Sequence, residues 1–214
     1  MHTFQSGGTT IRIHQTEPAG PGPFPALLLL HGAGGNVDFW LDRVAPQLTR
    51  LGIAVYAVHY FDRTGTVRAD TATILDGHHF PLWLSTVSDA LSYIAQRPQV
   101  DARRIALLGI SLGAFLSLAL GTENRMIRAI VEISGGLPAP WDAHASASYP
   151  PTLVLHGESD TVVPVALAHA LDRKLTELSV PHQTLLLPAE GHWFSAGAQL
   201  RILAATAAFL GRFL

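Results

Sequence analysis

A serine framed by glycines, Gly109-Ile110-Ser111-Leu112-Gly113, stands where an apolar run gives way to a helix-forming one. Arg104 to Leu108 reads as a short buried strand and Ala114 to Leu120 as a helix. A Gly-x-Ser-x-Gly at such a junction makes a tight turn that lifts the serine hydroxyl to its tip. Side chains at Gly109 and Gly113 would collide with neighbouring backbone there. The serine itself would be strained, above a helix N-terminus. A hydroxyl is a weak nucleophile until a base removes its proton, and a histidine base needs an acid to orient it. The chain supplies both downstream. Thr152 to Leu155 leads into His156-Gly157-Glu158-Ser159-Asp160, and Gln183 to Leu187 leads into Glu190-Gly191-His192-Trp193-Phe194. Each group follows an apolar strand, at the edge where parallel sheets carry their sites. The implied chemistry is acyl transfer, with Ser111 as nucleophile, His192 as base, and Asp160 or Glu158 as acid.

The elements that must position these residues alternate between strand and helix. Thr9 to Thr16 alternates apolar and polar, as an edge strand does. Pro18 to Pro25 is a connector. Ala26 to Leu30 and Ile53 to Tyr60 read as strands buried on both faces. Asn36 or Asp38 is placed to cap a helix running to about Arg50. Phe61 to His79 has no clear period and reads as a long loop. Pro81 to Gln96 carries Leu84, Val87, Leu91 and Ile94 on one helical stripe, and Pro98 stops it. Ala129 to Ile133 is a further strand. Pro164 suits the first turn of a helix carrying Leu167, Leu171, Leu175 and Leu178. Ser195 to Leu214 closes the chain as an apolar helix. The pattern predicts an α/β fold with a mostly parallel sheet, helices on both faces, and one domain over residues 1–214. Only 18 residues, rich in Gly, Pro and Ala, separate Ile133 from Thr152. That leaves no room for a lid, so an open pocket roofed by the 61–79 and 134–150 loops is expected.

Composition narrows the partners. With 214 residues and 48% hydrophobic content the chain can bury a sizeable core. A net charge of −2 and no basic run argue against nucleic acid or an anionic membrane surface as partner. The absence of cysteine excludes disulfides, thiolate metal sites and a cysteine nucleophile. Met1 to Gly8 lacks the basic and apolar regions of a signal peptide, and no apolar run approaches the roughly 20 residues that span a bilayer. A cytoplasmic location is therefore expected. His78-His79 has no carboxylate at ligand spacing, so no metal is expected.

With serine, acid and histidine in this order, the chain resembles the α/β-hydrolase superfamily, and in its small lidless form it is similar to the dienelactone hydrolase family. Tyr60-Phe61-Asp62-Arg63-Thr64-Gly65, Gly157-Glu158-Ser159-Asp160 and Gly191-His192-Trp193-Phe194 add to the likeness. The resemblance implies an α/β-hydrolase fold and assigns the acid to Asp160, leaving Glu158 to brace its loop by accepting backbone hydrogen bonds. It implies oxyanion donors at the backbone N–H groups of Ala33 and Leu112, with Gly34 as the alternative. His31 is then a structural hydrogen-bonder. Arg63 either pairs with a substrate carboxylate or fixes its loop through Asp62 or Asp70. Trp40, Trp83 and Trp193 are candidates to line an acyl pocket, and Glu132 stands out as a carboxyl inside an apolar strand. Two departures matter: Ser111 stands where dienelactone hydrolase has cysteine, and His31-Gly32-Ala33 stands where it has a glutamate. The expected activity is that of a serine carboxylesterase on small esters or thioesters, without cofactor, as a monomer or homodimer. Lactone hydrolysis, acyl-peptide cleavage and a non-catalytic binding protein are the alternatives.

Overall fold

Strands that are apolar on both faces must be covered from both sides, and the computed structural model, which describes residues 1–214, is built that way. Its strands are β1 (His2–Ser6), β2 (Thr9–Thr16), β3 (Phe24–Leu30), β4 (Ala54–Val58), β5 (Val100–Ile110), β6 (Ile127–Ile133), β7 (Thr152–Gly157) and β8 (His182–Leu187). They form one sheet in the order β1-β2-β4-β3-β5-β6-β7-β8. Only the β1–β2 and β2–β4 pairs are antiparallel. The six helices are α1 (Val37–Arg50), α2 (Thr71–Leu75), α3 (His79–Ala95), α4 (Leu112–Gly121), α5 (Ala166–Glu177) and α6 (Ala196–Phe213). Helices α1 and α6 pack over Leu27, Leu29, Val131 and Leu155 on one face, and α3, α4 and α5 pack over Leu28, Leu30, Ile130 and Val154 on the other. This is the expected α/β-hydrolase arrangement. No helix is long and apolar enough to cross a membrane.

Several boundaries differ from the sequence reading, each for a local reason. His2–Ser6 pairs with β2 through a two-residue turn, a hairpin too short to show a period. Strand β5 extends four residues before Arg104 and two beyond Leu108. The 61–79 stretch is not one loop: Tyr60–Arg63 forms a 3-10 turn, and α2 begins where Asp70 accepts the Thr73 N–H at 2.8 Å. Asn36 stands at the N-cap of α1 but makes no side-chain cap. Pro164 lies just ahead of α5 rather than in its first turn, and of its leucines Leu171 and Leu175 are buried while Leu167 is exposed. Ser195 caps α6 through the Ala198 N–H. The segment between β6 and β7 holds a single 3-10 turn, Trp141–His144, which packs on α3. The Trp141 ring lies 5.2 Å from Phe80 and its N–H donates to Glu123 at 3.1 Å.

Strand β5 runs mid-sheet between β3 and β6, and glycine is required where α4 leaves it. A Cβ on Gly113 would come within 2.7 Å of the His31 carbonyl oxygen, and one on Gly109 would strike the Gly113 carbonyl. Backbone on both sides leaves nothing soft to yield. Gly113→Ala is therefore expected to cost about 1–3 kcal/mol, read as a drop of several degrees in Tm. An unchanged Tm would contradict the close approach.

Candidate active site

Ser111 sits between β5 and α4 at φ +52°, a conformation that non-glycine residues rarely hold. Its N–H donates to the Ile133 carbonyl on β6 at 2.8 Å, which anchors the turn to the neighbouring strand. Loops beyond β7 and β8 bring in the partners. His192 Nε2 lies 3.2 Å from Ser111 Oγ and accepts from it, and His192 Nδ1–H donates to Asp160 Oδ2 at 2.7 Å. Asp160 is buried, and its other oxygen accepts the N–H groups of Val162 and Val163 at 2.8 and 2.9 Å. Burial pushes the Asp160 carboxyl upward, but the donors Val163, His192 and Val162 outweigh it and hold the group below the usual carboxylate range. The acid therefore stays ionised at neutral pH.

The loop after β3 closes against the serine. A Cβ on Gly32 would lie 3.3 Å from the Ser111 Cβ. The Ala33 N–H has no acceptor within the protein, nor has the Gly34 N–H, whereas Gly35 donates back to Gly32. Leu112 is the first residue of α4, so its N–H has no intrahelical acceptor. These are the donors expected for an oxyanion. His31 supports the loop as anticipated: its ring stacks on Tyr60 at 4.1 Å and its Nδ1–H donates to the Gly32 carbonyl at 2.7 Å. Burial lowers its pKa to about 4, so it is neutral. Tyr60 donates to the His31 carbonyl at 2.7 Å, a support the sequence marked only as part of the Tyr60-Phe61 likeness.

Other candidates lie elsewhere. Arg63 neither faces the site nor pairs with Asp62 or Asp70. Its guanidinium donates to the Ser6 and Gly7 carbonyls at 2.9 and 2.5 Å and clamps the β1–β2 turn. Asp62 pairs instead with Arg12 at 2.7 Å. Glu158 is exposed and its carboxylate accepts no hydrogen bond; the bracing carboxylate is Glu190, which accepts the Ser195 N–H at 2.8 Å. Trp83 is core, donating to Thr64 at 2.9 Å, and Trp40 packs on Phe39. Trp193 remains at the site, its ring 5.7 Å from that of His192 and largely exposed. His79 does have a carboxylate partner, Asp76 at 2.5 Å, three residues back in sequence.

Known proteins share both fold and sequence pattern. The chain is 32% identical over 177 residues to mouse (Mus musculus) acyl-coenzyme A thioesterase 5, an alignment covering 81% of this chain and 38% of that protein. It is 30% identical over 143 residues to mouse acyl-coenzyme A thioesterase 1, covering 66% of this chain and 31% of the relative. The chain thus spans about a third of the length of these relatives. Among solved structures, a dienelactone hydrolase-like promiscuous phosphotriesterase from metagenomic libraries superposes with a TM-score of 0.84 at 23% identity, covering 99% of this chain and 96% of that one. Est1E from Butyrivibrio proteoclasticus superposes at 0.81 with 15% identity, covering 99% and 97%. At such identities the superpositions establish the α/β-hydrolase fold. The family is established by sequence: matched from residue 11 to residue 208, the chain belongs to the dienelactone hydrolase family.

Proposed function

We propose that the chain hydrolyses small carboxylic esters or thioesters through an acyl-enzyme on Ser111. His192 Nε2 takes the hydroxyl proton as Oγ attacks the acyl carbonyl, while Asp160 holds the Nδ1–H tautomer and stabilises the imidazolium. Backbone N–H groups of Ala33 and Leu112, with Gly34 as a further donor, stabilise the tetrahedral oxyanion. The imidazolium then protonates the departing alcohol or thiol. Water gives a proton to the same ring, attacks the acyl carbon, and releases the acid and the free serine. One observation carries this reading: the contacts from Asp160 to His192 at 2.7 Å and from His192 to Ser111 at 3.2 Å.

Val162, Leu167 and Trp193 are exposed apolar side chains on the loops and helix beyond β7 and β8, and an apolar acyl group would cover them. The thioesterase relatives support a thioester among the substrates. Commitment of Arg63 to the β1–β2 turn favours uncharged acyl groups over a lactone bearing a carboxylate. The test is kcat/KM for p-nitrophenyl esters from acetate to dodecanoate and for the matching acyl-coenzyme A thioesters. Turnover should rise with acyl length. Trp193→Ala should cost the longer substrates about tenfold, since covering a large apolar side chain is worth about 1.5–3 kcal/mol, and should hardly affect acetate. Failure of the folded protein to turn over either series would leave the binding-protein alternative, and preferred cleavage of peptide anilides would leave the peptidase.

A further inference from the structure

Two carboxylates are buried in this protein, and the reaction uses only Asp160. The other, Glu132, lies on β6 directly opposite Gly109, the first glycine of the serine turn. Its side chain folds back over the end of its own strand, where Oε2 accepts the Gly135 N–H at 2.8 Å and Oε1 has no partner. The segment held in this way is a tight one. Ile133 holds the Ser111 N–H, Ser134 sits at φ +54° with its N–H on the Leu155 carbonyl, and Gly135 presses on Ala114 in the first turn of α4. The Glu132–Gly135 bond thus ties together the backbone that supports the nucleophile from the β6 side. We propose that Glu132 is a positioning residue for Ser111, its carboxyl pinning the Ser134–Gly135 bend beneath the serine turn.

The surroundings explain why it is uncharged. Helix α4 has no titratable side chain, β5 presents Gly109, and β7 presents Val154 in register. His156, two residues further along β7, is itself lowered by burial, and it donates from Nε2 to Val163. Tyr149 donates to the Leu118 carbonyl and is pushed well above the tyrosine range by burial. No cation faces the carboxyl. Burial raises it to about 8, and the single N–H of Gly135 only partly opposes that rise. Ionisation would strengthen the Gly135 bond but leave a buried charge on Oε1 with no protein partner. That charge is relieved only by admitting water and moving the bend. The sign follows: support for Ser111 is complete below the ordinary carboxyl value of 4.5 and is lost progressively as pH rises from there through about 8.

This inference rests on Ser111 being the nucleophile, and its test separates the two. Ester hydrolysis is measured from pH 6 to 10 in the wild type, Glu132→Gln and Glu132→Leu. In the wild type kcat should fall on an alkaline limb near pH 8 with KM little changed. Glu132→Gln, which keeps an acceptor but cannot ionise, should stay within about threefold of wild type at pH 7 and lose that limb. Glu132→Leu, with no acceptor for the Gly135 N–H, should lose tenfold or more in kcat at pH 7. A limb unchanged in Glu132→Gln, or equal kcat in all three proteins, would overturn the proposal. Hydrogen exchange of residues 133–137 in the wild type gives a reading independent of turnover and of any variant's folding. Protection should fall as pH rises from 6 to about 8, beyond the ordinary base-catalysed rise in exchange, and constant protection would again overturn it. No ester hydrolysis at any pH, with that drop present, would refute the nucleophile instead.

Discussion

An organophosphonate is expected to add once to this protein, at Ser111, and Ser111→Ala is expected to remove both the adduct and nearly all turnover. The expectation follows from position rather than from residue type. Ser111 stands at φ +52° at the head of α4, with its N–H tied to β6 and His192 Nε2 at 3.2 Å. Ser134 shares the left-handed backbone but is buried, and its hydroxyl contacts no base. Loss of the nucleophile alone in a serine triad removes on the order of 10⁶ in kcat, because base and acid then have nothing to activate. Intact-mass spectrometry gives the stoichiometry and peptide mapping the position. An adduct on another serine, or none on the folded protein, would sink the nucleophile assignment.

Asp160→Asn is the second large effect, expected at about 10⁴ in kcat, because an amide facing His192 Nδ1 favours the wrong tautomer. Glu158→Gln is the matched control. That carboxylate is exposed and accepts no hydrogen bond, so the change should leave turnover intact and shift stability by no more than about 0.5 kcal/mol. The two variants differ in acid stability as well. The folded-state value of Asp160 lies below the ordinary 3.8, so its contribution is present at neutral pH and lost as pH falls through the carboxylate range. The acid-side fall in Tm should therefore be shallower in Asp160→Asn than in wild type. Large loss of turnover in Glu158→Gln, with Asp160→Asn active, would move the acid role two residues upstream.

What the sequence carried about this site was its strand ends. Ser111, Asp160 and His192 each follow an apolar run, and parallel pairing brings those ends to one edge whatever the loops do. The glycines around Ser111 were legible for the same reason, since a strand-to-helix reversal has few steric solutions. Reach and direction of long side chains were not legible. Arg63 turns to the β1–β2 carbonyls because that hairpin folds back beside it, a contact more than fifty residues away in sequence. Glu158 and Glu190 look alike in sequence, and only the path of the loop decides that Glu190 meets Ser195. Glu132 was visible as an oddity, but its meaning depended on Gly135 and Ala114 closing over it.

The three catalytic candidates do not share equal footing in the sheet. Ser111 is mounted on β5, braced by β3 and β6, whereas His192 hangs from β8, which has a neighbour on one side only and is mostly half-buried. The site therefore has a stiff pole and a compliant one. On the proposed mechanism, the turn of the imidazole between leaving group and incoming water would draw on the compliant pole, while the attacking oxygen keeps its aim. On that mechanism the same asymmetry would set the order of failure. Fraying of the outer strand would part His192 from Ser111 while the central strands are still paired, so turnover is expected to be lost before the fold.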